Sequence, residues 1–143
     1  GFFMHGGFII TDKDNGQFLG MINSGTSLQP GVVEIAFMIR PDAWSQKPKN
    51  LSAEYNVPKN EFLDKEYSGV CTAAVSSIQQ YTEQLIKNEH TILGEPIIAM
   101  RGDAMVDNPG AWKAMAKNDF NLKQVRINTE YGQDLRYRLE HEF

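Results

Sequence analysis

Lys65-Glu66-Tyr67-Ser68-Gly69-Val70-Cys71-Thr72-Ala73-Ala74 opens the stretch on which the reading of this chain turns. Small residues crowd it, with Gly69 where the backbone needs positive φ or close approach, and Thr72 offers a hydroxyl to a first helical turn. Val75, Ile78, Thr82, Leu85 and Ile86 then recur at spacings of three and four, which predicts an amphipathic helix over 72–88 with one buried face. A helix opening from such a loop leaves backbone N–H groups unpaired at the positive end of its dipole, where a phosphate or other anion is attracted. An ordinary helix start reads the same way.

Working outward, Val32 to Arg40 is the most hydrophobic strand, broken only by Glu34 and ended by Pro41, which has no N–H to give. Glu95 to Gly102 reads as a buried strand on the far side of the helix. Strand, helix and strand in that order form a right-handed crossover, which predicts that 32–40 and 95–102 are parallel neighbours. Before the crossover, strands at 7–11 and 17–23 flank Asn15-Gly16, a hairpin-turn signal. After it, Asn108 suits an N-cap and Pro109 a first helical position, with Ala111, Trp112, Met115 and Ala116 as the apolar face. Phe120, Leu122, Val125 and Ile127 run into a strand, Gly132 turns the chain, and 134–143 alternates as a last strand. The fold class is therefore α/β, a mixed central sheet with antiparallel ends, a parallel pair in the middle and helices packed on it. The helix N-terminus falls where one strand's carboxyl end feeds the crossover, the usual place for a ligand cleft.

The 143 residues make one domain, 1–143, with 41% hydrophobic and 22% charged residues, ordinary for a globular protein. A net charge of −4 with no basic stripe argues against nucleic acid as a partner. No apolar run is long enough to cross a bilayer, which argues against a membrane partner, and no signal-peptide pattern opens the chain. The single cysteine fits a reducing compartment, so a cytoplasmic location is expected. Residues 44–64, with Lys47, Lys49, Lys59, Pro48 and Pro58, read as a long surface loop in which Tyr55 and Phe62 pack down. An unpaired final strand or the exposed first hairpin could pair with a second copy, so a homodimer is possible.

Four stretches carry a resemblance to the GCN5-related N-acetyltransferases (the GNAT family), particularly their ribosomal-protein N-acetyltransferase branch. Gly16 to Asn23 resembles the family's hairpin strand. Val33-Glu34-Ile35-Ala36-Phe37-Met38-Ile39-Arg40-Pro41 with Asp42-Ala43-Trp44 is similar to the central strand and its Pro-x-x-Trp exit. Gly69 to Ala74 is similar to the end of the pyrophosphate loop, and Asp107-Asn108-Pro109-Gly110-Ala111-Trp112-Lys113 through Phe120 to the Asn-Pro-x-Ser-Trp signature. The resemblance covers the chain from residue 7 onward. The family's N-terminal strand and helices have no counterpart before Gly7, and the loop at about 45–64 is an insertion relative to the family. Glu66 stands where the pyrophosphate loop begins with Gln or Arg, Cys71 replaces its last glycine, and Met115 stands where many relatives carry a tyrosine general acid.

The resemblance implies a splayed parallel pair that grips acetyl-CoA as co-substrate, and a primary amine of a protein or small molecule as acceptor. Backbone groups of Met38 and Ile39 would bond the pantetheine arm, one N–H polarising the thioester carbonyl. The diphosphate would rest on Ser68, Gly69, Val70, Cys71, Thr72 and Ala73 with help from Lys65. Asn108 would bond the cofactor or a water near the thiol, beside Trp112, which also reads as a packing residue. Glu34 is the candidate general base; strand alternation could equally turn it away from the cleft, or pair it with Arg101. No metal site is expected, since the neighbours in Glu140-His141-Glu142 face opposite sides of a strand. Two alternatives stay open: a catalytically degenerate member acting as a CoA-binding or protein-interaction module, and a cysteine-dependent transferase using Cys71.

Overall fold

The computed structural model describes residues 4–45, 51–56, 58–63, 65–128 and 134–143. Lys47, Pro48, Lys49 and the Gly132 turn lie outside the described residues. Strands β1 (Met4–Thr11), β2 (Phe18–Thr26) and β3 (Val32–Ile39) form an antiparallel meander. Gly16, at φ 73°, and Asp12, whose Oδ1 accepts the Asp14 N–H at 2.8 Å, close its first turn. Short helix α1 (Leu51–Tyr55) follows, then α2 (Val70–Lys87), a small hairpin of β4 (Thr91–Ile92) and β5 (Glu95–Pro96), and β6 (Ala99–Met105). Helix α3 (Pro109–Ala116) leads into β7 (Asn121–Asn128) and β8 (Asp134–Glu142). The main sheet has six strands in the order β1-β2-β3-β6-β8-β7, with β3 and β6 its parallel pair. The predicted mixed sheet, antiparallel at both ends, is what forms.

Three expectations need correction. The predicted strand 95–102 is two elements: Leu93 and Gly94, at φ 51° and 83°, fold Glu95–Pro96 back on Thr91–Ile92, and the sheet strand starts at Ala99 and runs to Met105. Helix α2 starts at Val70, not Thr72, because Gly69 adopts the left-handed conformation (φ 71°, ψ 14°) and turns the chain into the helix without a side-chain cap. The stretch read as a loop over 44–64 contains the short helix α1, and its Tyr55 packs down as expected. The Trp44 and Tyr55 rings meet edge to face at 5.6 Å, and buried Asp42 accepts Arg40 Nε and Nη2 at 2.8 Å each and the Leu63 N–H at 3.1 Å.

Both long helices cover one face of the sheet. Val75, Ile78 and Leu85 from α2 and Ala114 and Met115 from α3 join Ile22, Val33, Ile35, Met100, Ala104 and Leu139 in the main core. Each of the Val, Ile, Leu and Met side chains contributes about 1.5–3 kcal/mol on burial, so this seam fixes the helices over the sheet centre. By alternation Glu34, Ala36 and Met38 face the other side, where Ile9, Met21 and Met38, paired in register across three strands, stay exposed. Among the described residues no helix is long and apolar enough to cross a membrane.

Candidate functional site

The central strands part company. β3 and β6 pair only through Val32, Val33 and Glu34 with Ala99, Met100 and Arg101. Beyond that point β3 continues to Ile39 against β2, while β6 continues to Met105 against β8. A fork opens between two strands whose facing edges have no common ladder. Arg40 donates its N–H to Leu19 at 2.8 Å, so antiparallel alternation turns the peptide groups of Met38 toward β2 and those of Phe37 and Ile39 toward the fork. The Ile39 carbonyl accepts the Trp44 indole N–H at 2.8 Å. Of the two strand residues expected to touch a ligand arm, Ile39 therefore presents backbone to the gap, and Met38 presents an exposed side chain to the far face.

Glu34 and Arg101 mark the vertex. They are the last pair of the parallel ladder, with Arg101 Nε 3.9 Å from Glu34 Oε1, and that Nε is buried without a hydrogen bond. Both orientations considered for Glu34 are realised, since it faces away from the helices and sits beside Arg101. The parallel ladder ends at this pair, so Glu34 is the last β3 residue before the two strands diverge. On the helix side Met115, fully buried, fills the space over Gly102: a Cβ on Gly102 would stand 2.6 Å from Met115 Sδ and 3.3 Å from Ile35 Cγ1. Asn108 precedes α3 exposed and makes no side-chain cap bond; its carbonyl accepts the Ala111 N–H at 3.2 Å. Trp112 donates its indole N–H to the Val106 carbonyl at 3.0 Å and stacks edge to face on Tyr137, a packing role.

The start of α2 lies at the open end of the fork, since Tyr67, Val70 and Cys71 pack against Leu19, Ile39, Ala43 and Leu63. The Gly69 N–H is bonded to Ser45 Oγ at 3.1 Å, and the first turn closes only with the Ala73 N–H on the Gly69 carbonyl. The amides of Val70, Cys71 and Thr72 therefore have no intrahelical acceptor, while Ser68 and Ala73 are exposed beside them. Asn118, not singled out from the sequence, donates to the Thr72 and Ala114 carbonyls and fastens α2 to α3. Cys71 is not acidified: burial pushes its thiol up to about 11, so no thiolate stands ready. Lys65 is held 3.0 Å from Asp12 and 3.6 Å from Asp14. The Tyr67 hydroxyl, 2.6 Å from Asp12, is the foremost of the donors that hold the Asp12 carboxyl well below the usual range. Between α2 and the first two strands, Phe8, Ile10, Leu19, Ile22 and Tyr81 line a groove of about 600 Å³ that also takes in Ser68, Gly69, Val70 and Ala73 from the start of the helix. Asp12, Ser45 and Asn118 escape sequence reasoning because their partners lie 24 to 55 residues away.

No protein-family model and no curated protein matches the chain. Among solved structures it is similar to a GNAT-family acetyltransferase from Bacillus anthracis, with TM-score 0.61 and 12% identity over 95% of this chain and 65% of that one. It is similar to a spermidine N-acetyltransferase from Vibrio cholerae in complex with CoA and spermine, at TM-score 0.59, 11% identity, 95% of this chain and 64% of that one. It is also similar to a ribosomal-protein-S5-alanine acetyltransferase from Vibrio fischeri, at TM-score 0.60 and 12% identity, over 95% of this chain and 60% of that one. The fold is GNAT-like, and the chain spans about two thirds of the length of these structures or less. Spermidine and ribosomal-protein enzymes match it equally well, so the fold singles out no branch.

Proposed function

We propose that this chain binds acetyl-CoA and transfers the acetyl group to an amine of a protein or small molecule. The fork between β3 and β6, with the first-turn amides of α2 that lack an intrahelical acceptor near its open end, is the observation that carries the reading. The diphosphate rests on the Val70, Cys71 and Thr72 amides, flanked by Ser68 and Ala73, and the pantetheine arm runs along the Phe37 and Ile39 edge of β3. Glu34 takes the proton from the attacking amine, directly or through water. The nitrogen forms the amide bond as the thioester C–S bond breaks, and CoA leaves as its thiolate. Asn108 borders the cofactor from the start of α3, and Lys65, paired with Asp12 and Asp14, acts on the diphosphate only through its charge at longer range.

A second reading rests on Met115. It fills the helix side of the fork with an apolar side chain and brings no hydroxyl to protonate the departing thiolate. In that reading the domain holds CoA without turning it over. Thermal unfolding with CoA tests the part common to both: at a hundredfold excess over its dissociation constant the ligand should add about 2.7 kcal/mol. Release of free thiol from acetyl-CoA across a panel of polyamines, amino acids and peptides then separates transfer from binding alone. No stabilisation by CoA would sink both readings.

A further inference from the structure

The loop that delivers the chain into α2 is tied down from outside the crossover. Asp12, 7% exposed at the end of β1, sends one carboxylate oxygen into its own turn by accepting the Asp14 N–H at 2.8 Å. The other oxygen accepts the Tyr67 hydroxyl at 2.6 Å and the Lys65 ammonium at 3.0 Å. Tyr67 stands two residues before Gly69, the left-handed residue that aims the α2 amides, and the Gly69 N–H is fixed from the other side by Ser45 Oγ at 3.1 Å. The short stretch from Lys65 to Gly69 is thus gripped by the first hairpin on one flank and by the exit of β3 on the other. Bonds to an ionised carboxylate are the stronger kind of hydrogen bond, and a buried carboxylate with three donors has one position it can occupy.

We propose that Asp12 is a positioning residue for the anion-binding loop: through Tyr67 and Lys65 it holds the chain so that the Val70, Cys71 and Thr72 amides converge before any ligand arrives. The inference rests on the reading that these amides take the CoA diphosphate. A group that only stabilises the fold changes the folded fraction; one that orders a binding loop also weakens the affinity of molecules that are folded. The same carboxylate offsets the Lys65 charge, which explains why that lysine lies back on the hairpin.

The test is calorimetric titration of the folded protein with CoA and with inorganic pyrophosphate, for wild type, Asp12→Ala, Tyr67→Phe and Asp103→Asn. The last variant breaks a carboxylate–arginine contact on the opposite side of the sheet, where Asp103 meets Arg138 at 2.9 Å, and serves as a stability control. Asp12→Ala should weaken both ligands about tenfold or more, and Tyr67→Phe about threefold, as expected for the loss of one or two charge-assisted bonds. Asp103→Asn should leave affinity unchanged at a comparable fall in Tm. Should Asp12→Ala not fold, Tyr67→Phe, which removes one hydroxyl, decides. Equal affinity in wild type and Tyr67→Phe, or in wild type and a folded Asp12→Ala, overturns the positioning role and leaves the CoA reading standing. No binding of CoA by wild type overturns that reading, and the positioning role with it.

Discussion

Gly102 and Met115 share one space at the fork, so a change at one is felt at the other. With Met115 Sδ 2.6 Å from where a Cβ would stand, Gly102→Ala must displace a fully buried side chain. We expect it to cost about 1–3 kcal/mol in urea unfolding. Met115→Ala on the same background should return part of that loss, a coupling that independent sites would not show. Cys71 yields a second expectation. Its thiol, raised to about 11 by burial, should alkylate with iodoacetamide far more slowly at pH 8 than an exposed cysteine, with the rate still climbing at pH 10. Fast alkylation at neutral pH would revive the cysteine-dependent transferase that the structure disfavours.

The segment between β3 and α2 is an element held by polar anchors more than by periodic packing. Burial pushes the Asp42 carboxyl up, but the Arg40 guanidinium and the Leu63 N–H outweigh it, leaving the group below its ordinary value of 3.8. A carboxyl depressed on folding contributes stability that is complete above the unfolded value, about pH 4, and is lost as pH falls through the folded one. Asp42→Asn should therefore cost about 1–3 kcal/mol at pH 7, and the gap to wild type should narrow as the pH falls below about 4 in urea unfolding. A gap that stays constant with pH would mean that the Arg40–Asp42 pair does not fasten this segment.

At the scale of the molecule, two features set by different forces meet at one place. The fork follows from β3 and β6 each having a better partner on its outer edge, and the amides of α2 from a glycine turn pinned by Ser45 and Tyr67. Hydrogen exchange with saturating CoA should therefore slow amides in 35–39 and 68–73 together, and leave β7 unchanged. Protection confined to 68–73 would mark an anion site without a pantetheine channel. The exposed β7 edge, with Val125 and Ile127 open to solvent, is where dimer formation would add protection with or without ligand.

The amino-acid sequence determined what depends on neighbours along the chain. Residues 75–85 repeat at helical spacing, Asn15-Gly16 demands a turn, and an apolar strand before and after a helix leaves one handedness of crossover, so the mixed sheet and its parallel centre were legible. Glu34, Gly69 and the helix start were legible as candidates for the same reason. Tertiary structure alone decided what depends on which surfaces meet. Nothing local shows that Glu95–Pro96 would leave the sheet strand to pair with Thr91–Ile92, which of the readings open for Glu34 would hold, or that Asp12 would reach a tyrosine 55 residues away. Periodicity records which face of an element is buried, whereas contacts between distant side chains are fixed only when the packed elements bring them within the few ångströms over which hydrogen bonds and van der Waals contacts act.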